Sequence, residues 1–210
     1  MRLLATTAAA LALLALPLAG QAAITDAQGD FIGSFTGTQA ADLDVISADV
    51  FYNPGTDLFT LTATMDGNVG STAAGLYVWG VNRGAGTAAF AGLGIDGVLF
   101  DRVILLRPDG TGNIGGGAAL PAGSVTVSGK TITAVVSGSL LPGTGFASKL
   151  DYTWNLWPRD TAVAGTAAIS DFAPNNSSFA ATAVPEPASV ALLLGGLGVV
   201  AMVARRRAGT

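Results

Sequence analysis

The stretch from Leu43 to Met65 constrains the fold of this chain more than any other. Ile46, Ala48, Val50 and Tyr52 recur at every second position, with Asp44, Ser47 and Asp49 among the polar breaks. Asn53-Pro54-Gly55-Thr56-Asp57 follows, a run of residues that each favour a turn. Phe59, Leu61, Ala63 and Met65 then alternate with Thr60, Thr62 and Thr64. A period of two sends neighbouring side chains to opposite faces of a strand. The segment therefore predicts a half-buried hairpin with one apolar face and one threonine-lined face. Asp66-Gly67-Asn68 closes it with a second turn.

The same signal recurs downstream. Gly75–Val81 is bounded by glycines and Asn82, and Val98–Leu106 stops at Pro108-Asp109-Gly110. Ser124–Ser128 and Thr131–Ser137 flank Gly129-Lys130 as a second hairpin, and Leu150–Trp157 puts Tyr152, Trp154 and Leu156 on one face. Phe31–Thr36 and Thr166–Phe172 predict edge strands. Gly112–Gly117 predicts a mobile connection. The chain has 29 glycines and no stripe of helical period in its middle, which argues against long helices. The expected fold class is all-β, an antiparallel β-sandwich or jelly roll.

Both ends depart from this pattern. Met1-Arg2 precedes an apolar run from Leu3 to Leu18, followed by Ala19-Gly20-Gln21-Ala22-Ala23. A charged start, a short apolar stretch and small residues at Gly20 and Ala22 predict a secretory signal helix over 1–22, cleaved after Ala22 or after Ala23. An uncleaved anchor is the competing reading. At the other end Val184-Pro185-Glu186-Pro187 precedes an apolar run from Ala188 to Ala204 and then Arg205-Arg206-Arg207. Seventeen residues in a helix reach about 25 Å, the short end of a membrane span. Arginines after such a span stay in the cytoplasm. The two ends agree that the middle is exported. The expected layout is a signal peptide at 1–22, a sandwich domain at 23–174, a flexible stalk at 175–183 and a tail at 184–210 with a single transmembrane helix over 188–204.

Pro185-Glu186-Pro187, a short apolar helix and an arginine cluster, in that order, resemble the PEP-CTERM sorting domain. The resemblance covers about 25 residues. It implies recognition by exosortase, an integral-membrane cysteine transpeptidase of Gram-negative bacteria that make exopolysaccharide. It also implies cleavage near the Pro-Glu-Pro element and transfer to the cell surface or extracellular matrix. An inner-membrane intermediate, with its domain on the periplasmic side, would come first. Ala22, Val184, Pro185, Glu186, Pro187, Arg205, Arg206 and Arg207 are thus the expected processing and sorting residues. Two prolines keep that element extended at the membrane edge.

Composition narrows the chemistry of the middle. Six basic residues stand there against thirteen aspartates, so its charge is near −7 and no basic footprint for nucleic acid exists. The chain has no Cys and no His, and its one Glu is Glu186. A Ser-His-Asp triad, a Cys-His pair and the usual zinc sites are thereby excluded. A glycosidase would need two aspartates. The expectation is a protein that is not an enzyme.

Two groups of residues remain as candidate sites. Asp26, Asp30, Asp42 and Asp44 offer the oxygen ligands that calcium takes, though without the spacing of an EF-hand loop. Their other reading is as caps of turns and strand ends. Asp26-Ala27-Gln28-Gly29-Asp30, then Asp42-Leu43-Asp44 and an alternating strand, are similar to DOMON-like and family 9 carbohydrate-binding β-sandwiches over about forty residues. Tyr77, Trp79, Arg83 and Trp157, with Trp154, are candidates for a sugar-binding face or for core packing. Trp157, beside Pro158-Arg159-Asp160, is expected to be the more exposed. The functional expectation is a non-catalytic surface or matrix protein, processed by exosortase and associated with exopolysaccharide. A carbohydrate- or calcium-binding module is the alternative. The expected partners are exosortase and the secretion machinery, exopolysaccharide and, transiently, the inner membrane. Calcium is the sole cofactor considered.

Overall fold

The computed structural model describes residues 23–183, together with Gly195, Gly196, Gly198 and Arg205, which are helical. The expected signal segment and nearly all of the expected sorting tail and membrane helix lie outside the described residues. Among the described residues no helix is long and apolar enough to cross a membrane.

Residues 23–183 form two sheets packed face to face. The strands are β1 (Ile24–Thr25), β2 (Val45–Asn53), β3 (Leu58–Met65), β4 (Gly75–Asn82), β5 (Arg102–Leu106) and β6 (Gly112–Ile114). They continue with β7 (Val125–Ser128), β8 (Thr131–Ser137), β9 (Thr153–Asp160), β10 (Phe179–Ala180) and β11 (Thr182–Ala183). One sheet runs β1-β2-β3-β8-β7 and the other β10-β9-β4-β5-β6, each with antiparallel neighbours. β11 lies parallel to β2, with Thr182 opposite Phe51. It shares the outer edge of β2 with β1, whose Ile24 faces Ala48. Both ends of the domain therefore close one strand edge.

The predicted hairpin is β2–β3. Asn53 Oδ1 accepts the backbone N–H groups of Gly55 and Thr56 and shapes its turn. Phe59, Leu61, Ala63 and Met65 are buried, as their alternation predicts. On β2 the register shifts between Val45 and Ser47. That bulge turns Val45 into the core in place of Ile46, which is only half-buried. The second hairpin, β7–β8, also lies where the alternation puts it.

The inward residues of β2, β3 and β8 meet Tyr77, Trp79 and Val81 of β4, Ile104 and Leu106 of β5, and Trp154 and Leu156 of β9. Phe59 joins the layers, with ring centroids 4.6 Å from Tyr52, 5.1 Å from Trp154 and 5.9 Å from Tyr152. A second apolar cluster covers the outer face of the other sheet. There Val78 and Trp157 pack with Phe90, Val98, Ile169 and Phe172 from the loops. The Trp157 ring stands 4.9 Å from Phe100 and 5.1 Å from Phe90. It also lies over Gly80, where a Cβ would come within 2.4 Å of it.

Several expected connections differ. Phe31–Thr36 is irregular chain with one turn at Gly33–Ser34, and its backbone bonds to the loop after β9, Ile32 N–H to Ser170 O and Thr36 N–H to Ala167 O. Thr166–Phe172 holds a 3-10 turn over Gly165–Ala168 and a single bridge from Ile169 to Arg159. Gly112–Ile114, expected to be mobile, is β6 and pairs with β5. The expected flexible stalk at 175–183 is part of the sandwich. It carries β10 and β11, and Phe179 and Ala181 are buried. Asn155 Nδ2 donates to the carbonyls of Pro174 and Ser177, and Asn176 Oδ1 accepts Gly97 N–H. The polar run that suggests a tether is instead spent on these bonds.

A buried ion pair fastens the end of β4. Arg83 Nε donates to Asp101 Oδ1 at 2.8 Å and Nη1 to Pro142 O at 2.9 Å. The Arg83 carbonyl accepts the N–H groups of Thr144, Gly145 and Phe146. Burial works to raise the Asp101 carboxyl. The Thr144 hydroxyl and the Arg83 guanidinium outweigh it and hold the group below its usual range.

Two outcomes are expected. Gly80→Ala drives a methyl into the Trp157 ring and lowers stability by about 2 kcal/mol, read by urea unfolding. Arg83→Leu leaves the half-buried Asp101 without its partner and costs about 2 kcal/mol near neutral pH. Because the Asp101 pKa is depressed in the folded state, the pair contributes fully above about pH 4 and loses its contribution as pH falls further. The gap in melting temperature between wild type and Arg83→Leu should therefore narrow from pH 6 toward pH 2.

Candidate metal centre

Two neighbouring segments and one distant in sequence bring carboxylates together beside the start of β2. Asp26 directly follows β1, where its N–H bonds to Ile46 O and anchors the segment to β2. Asp30 comes one residue after Gly29, whose φ of 77° turns the chain back. Asp44 sits between the 3-10 turn Ala41–Leu43 and β2. Asp171 comes from the loop after the 3-10 turn Gly165–Ala168. The Ser170 hydroxyl donates to Leu43 O and to Pro158 O, which holds that loop in place.

Asp30, Asp44 and Asp171 each place a carboxylate oxygen within 4.8 Å of the other two. Asp44 is 1 % exposed and Asp171 0 %. Asp171 accepts Val45 N–H at 2.9 Å and Phe172 N–H at 2.6 Å. Asp44 Oδ2 accepts Gly29 N–H at 2.7 Å, and Asp30 Oδ2 accepts the Asn175 amide at 3.0 Å. Asp26 Oδ2, Asp30 Oδ1 and Asp44 Oδ1 are buried and have no donor from the protein.

The electrostatics follow from this crowding. Burial pushes the Asp171 carboxyl up to about 7, and the charges of Asp26 and Asp30 add to it. Burial, with the charges of Asp30 and Asp44, pushes Asp26 up to about 6. Asp44 is raised by burial and by Asp30 and Asp66. The ion pairs among the described residues join Arg83 to Asp101, Lys130 to Asp66 and Lys149 to Asp57, so none neutralises this cluster. A group of oxygens with this charge can hold a hard cation.

Of the four aspartates singled out by the sequence, Asp26, Asp30 and Asp44 converge here. Asp42 does not. Its carboxylate accepts the N–H and hydroxyl of Thr72, both at 2.7 Å, and the Tyr77 hydroxyl at 3.5 Å. It clamps the loop before β4. Alternation explains the split, because residues two apart point the same way only along a strand. Asp42 lies within the 3-10 turn. Asp171 replaces it, and nothing near Asp171 in sequence marks it as a ligand.

The proposed aromatic face is not a surface. Tyr77 and Trp79 lie in the core between the sheets, Arg83 is locked to Asp101, and Trp157 is 2 % exposed under the loop cluster. Trp154 is buried as well. Trp157 was expected to be exposed because it borders Pro158-Arg159-Asp160. β9 instead runs on through Asp160, and both of its faces are covered. The described residues include two shallow depressions. One, of about 400 Å³, is lined by Ala74, Leu76, Arg107, Pro108, Asp109 and Thr161. The other, of about 310 Å³, is lined by Thr87, Phe100, Asp101, Arg102, Val103 and Gly115.

Of the expected processing residues, Ala22, Val184, Pro185, Glu186, Pro187, Arg206 and Arg207 lie outside the described residues. Comparison with curated proteins and with solved structures finds no match to the chain. No comparison supports the likeness of the opening segment to DOMON-like sandwiches. Comparison with family models matches residues 183–207 to the PEP-CTERM protein-sorting motif. The match starts at Ala183, the last residue of β11, and takes in Pro185-Glu186-Pro187 and Arg205-Arg206-Arg207. Sorting signal and folded sheet thus abut without a linker, and the chain is identified by its C-terminal segment as carrying a PEP-CTERM protein-sorting motif, the mark of an exported exosortase substrate.

Proposed function

We propose that this protein is a non-catalytic component of the cell surface or extracellular matrix, delivered by exosortase processing and associated there with exopolysaccharide. The observation that carries the reading is the sorting motif at residues 183–207, joined directly to a closed β-sandwich. The lack of His and Cys supports a structural or binding role. So does the filling of the interior between the sheets with aromatic rings among the described residues. The N-terminal segment directs export, and the apolar run before the arginines holds the domain at the inner membrane until cleavage.

The test is replacement of Pro185, Glu186 and Pro187 by Ala in a host that carries an exosortase. The variant should accumulate as a longer, membrane-associated species, whereas the wild type appears shortened at the surface or in the matrix. Immunoblotting of inner-membrane, surface and matrix fractions reads this out. Equal processing of both proteins, or an intact wild type that stays in the cytoplasm, would refute the reading.

A further inference from the structure

We propose that Asp30, Asp44 and Asp171 bind one calcium ion that fastens the N-terminal segment to the entrance of β2 and to the loop after β9. Two observations meet here. The first is geometry. Two ligands on one calcium ion lie at most about 5 Å apart, twice a bond of about 2.3–2.6 Å. The oxygens of Asp30, Asp44 and Asp171 fall inside that limit.

The second observation is independent of the cluster's acidity. Asp44 is 1 % exposed, yet its Oδ1 receives no hydrogen bond. A buried carboxylate oxygen left without a partner costs several kcal/mol. Asp26 Oδ2 and Asp30 Oδ1 share that condition. Turn capping accounts for Asp44 Oδ2, Asp30 Oδ2 and both oxygens of Asp171, each of which has its donor. It leaves Asp30 Oδ1 and Asp44 Oδ1 unexplained, and a cation shared by Asp30, Asp44 and Asp171 would satisfy them.

The donor set selects the ion. All the side-chain ligands are carboxylates, which favours a hard cation over zinc or copper. Magnesium binds at about 2.0–2.1 Å, demands octahedral order and keeps several waters. A sheltered group from three separate segments suits the larger and more tolerant calcium. The ion would act as a staple, since Asp30, Asp44 and Asp171 share no strand. The chain has no Cys, so a disulfide does not fill that role.

The test uses the full chain purified in detergent, stripped with EDTA and titrated with calcium chloride. Calorimetry should show one calcium per chain with a Kd at or below about 1 mM, within the range of extracellular modules. At a hundredfold excess over Kd the melting temperature should rise by about 5 °C or more. Asp44→Asn should abolish both responses. In EDTA it should melt at or above wild type, because it removes a buried repelling charge, whereas loss of a mere turn cap would lower the melting temperature. Asp30→Asn, at a less buried position, should also lose the calcium response if Asp44→Asn fails to fold. Asp42→Asn should lose stability and keep the response. The proposal is overturned if about 10 mM calcium leaves the wild-type melting temperature unchanged, if the response survives in both Asp30→Asn and Asp44→Asn, or if magnesium chloride alone produces an equal response. These results do not depend on how the tail is processed, so this proposal and the surface role fail separately.

Discussion

The contact between Phe59 on β3 and Trp154 on β9 joins the two sheets, and the rest of the sandwich is arranged around it. Burial of a phenylalanine contributes about 2–3 kcal/mol, and packing of two aromatic rings adds about 1 kcal/mol. Tyr52 and Tyr152 flank the same ring, so three strands and a loop converge on one side chain. That contact requires Phe59 to point inward, which fixes the parity of β3. Through the ladder it also fixes the faces of β2 and β8. A slip of one residue would put threonines in the core.

This parity is why the hairpins were legible. Threonine and apolar residues alternate strictly along β3, and only one face of that strand is covered. The bulge near Ile46 was not legible, because either Val45 or Ile46 suits an apolar face and the choice is made by pairing with Met65. The burial of Trp157 was hidden for a different reason. Alternation assigns residues to two faces but does not say that loops will cover the second one. Of the residues that cover it, Phe90 belongs to no predicted strand, and Val98 and Phe172 lie at the ends of stretches read as strands, which gives no sign that they fold back over β9.

The aspartate cluster shows the same limit. Asp26, Asp30 and Asp44 are close in sequence and attract attention as a group. Asp171 meets them only because Ser170 ties its loop to Leu43 and Pro158. Asp42, the neighbour of Leu43, turns away because the 3-10 turn rotates successive side chains by about a third of a turn. Composition bounded the available chemistry, and the distribution of that chemistry depended on tertiary contacts. The small polar residues ahead of the tail resembled a tether. Their amides serve Gly97 and Asp30 in the folded domain.

The shared edge of β2 has a consequence for the order in which the chain can be completed. β1 is available as soon as the first part of the domain has been made, and it protects the N-terminal half of that edge. The C-terminal half, at Phe51 and Tyr52, waits for Thr182 and Ala183, the final residues ahead of Val184. An unpaired strand edge is a template for another chain. As the chain is completed from its N-terminus this edge is therefore a zip left open at one end, and the last tooth to engage lies at the boundary of the sorting motif. Placing the signal directly after that tooth makes closure of the edge and presentation of the Pro-Glu-Pro element successive moments of one emergence.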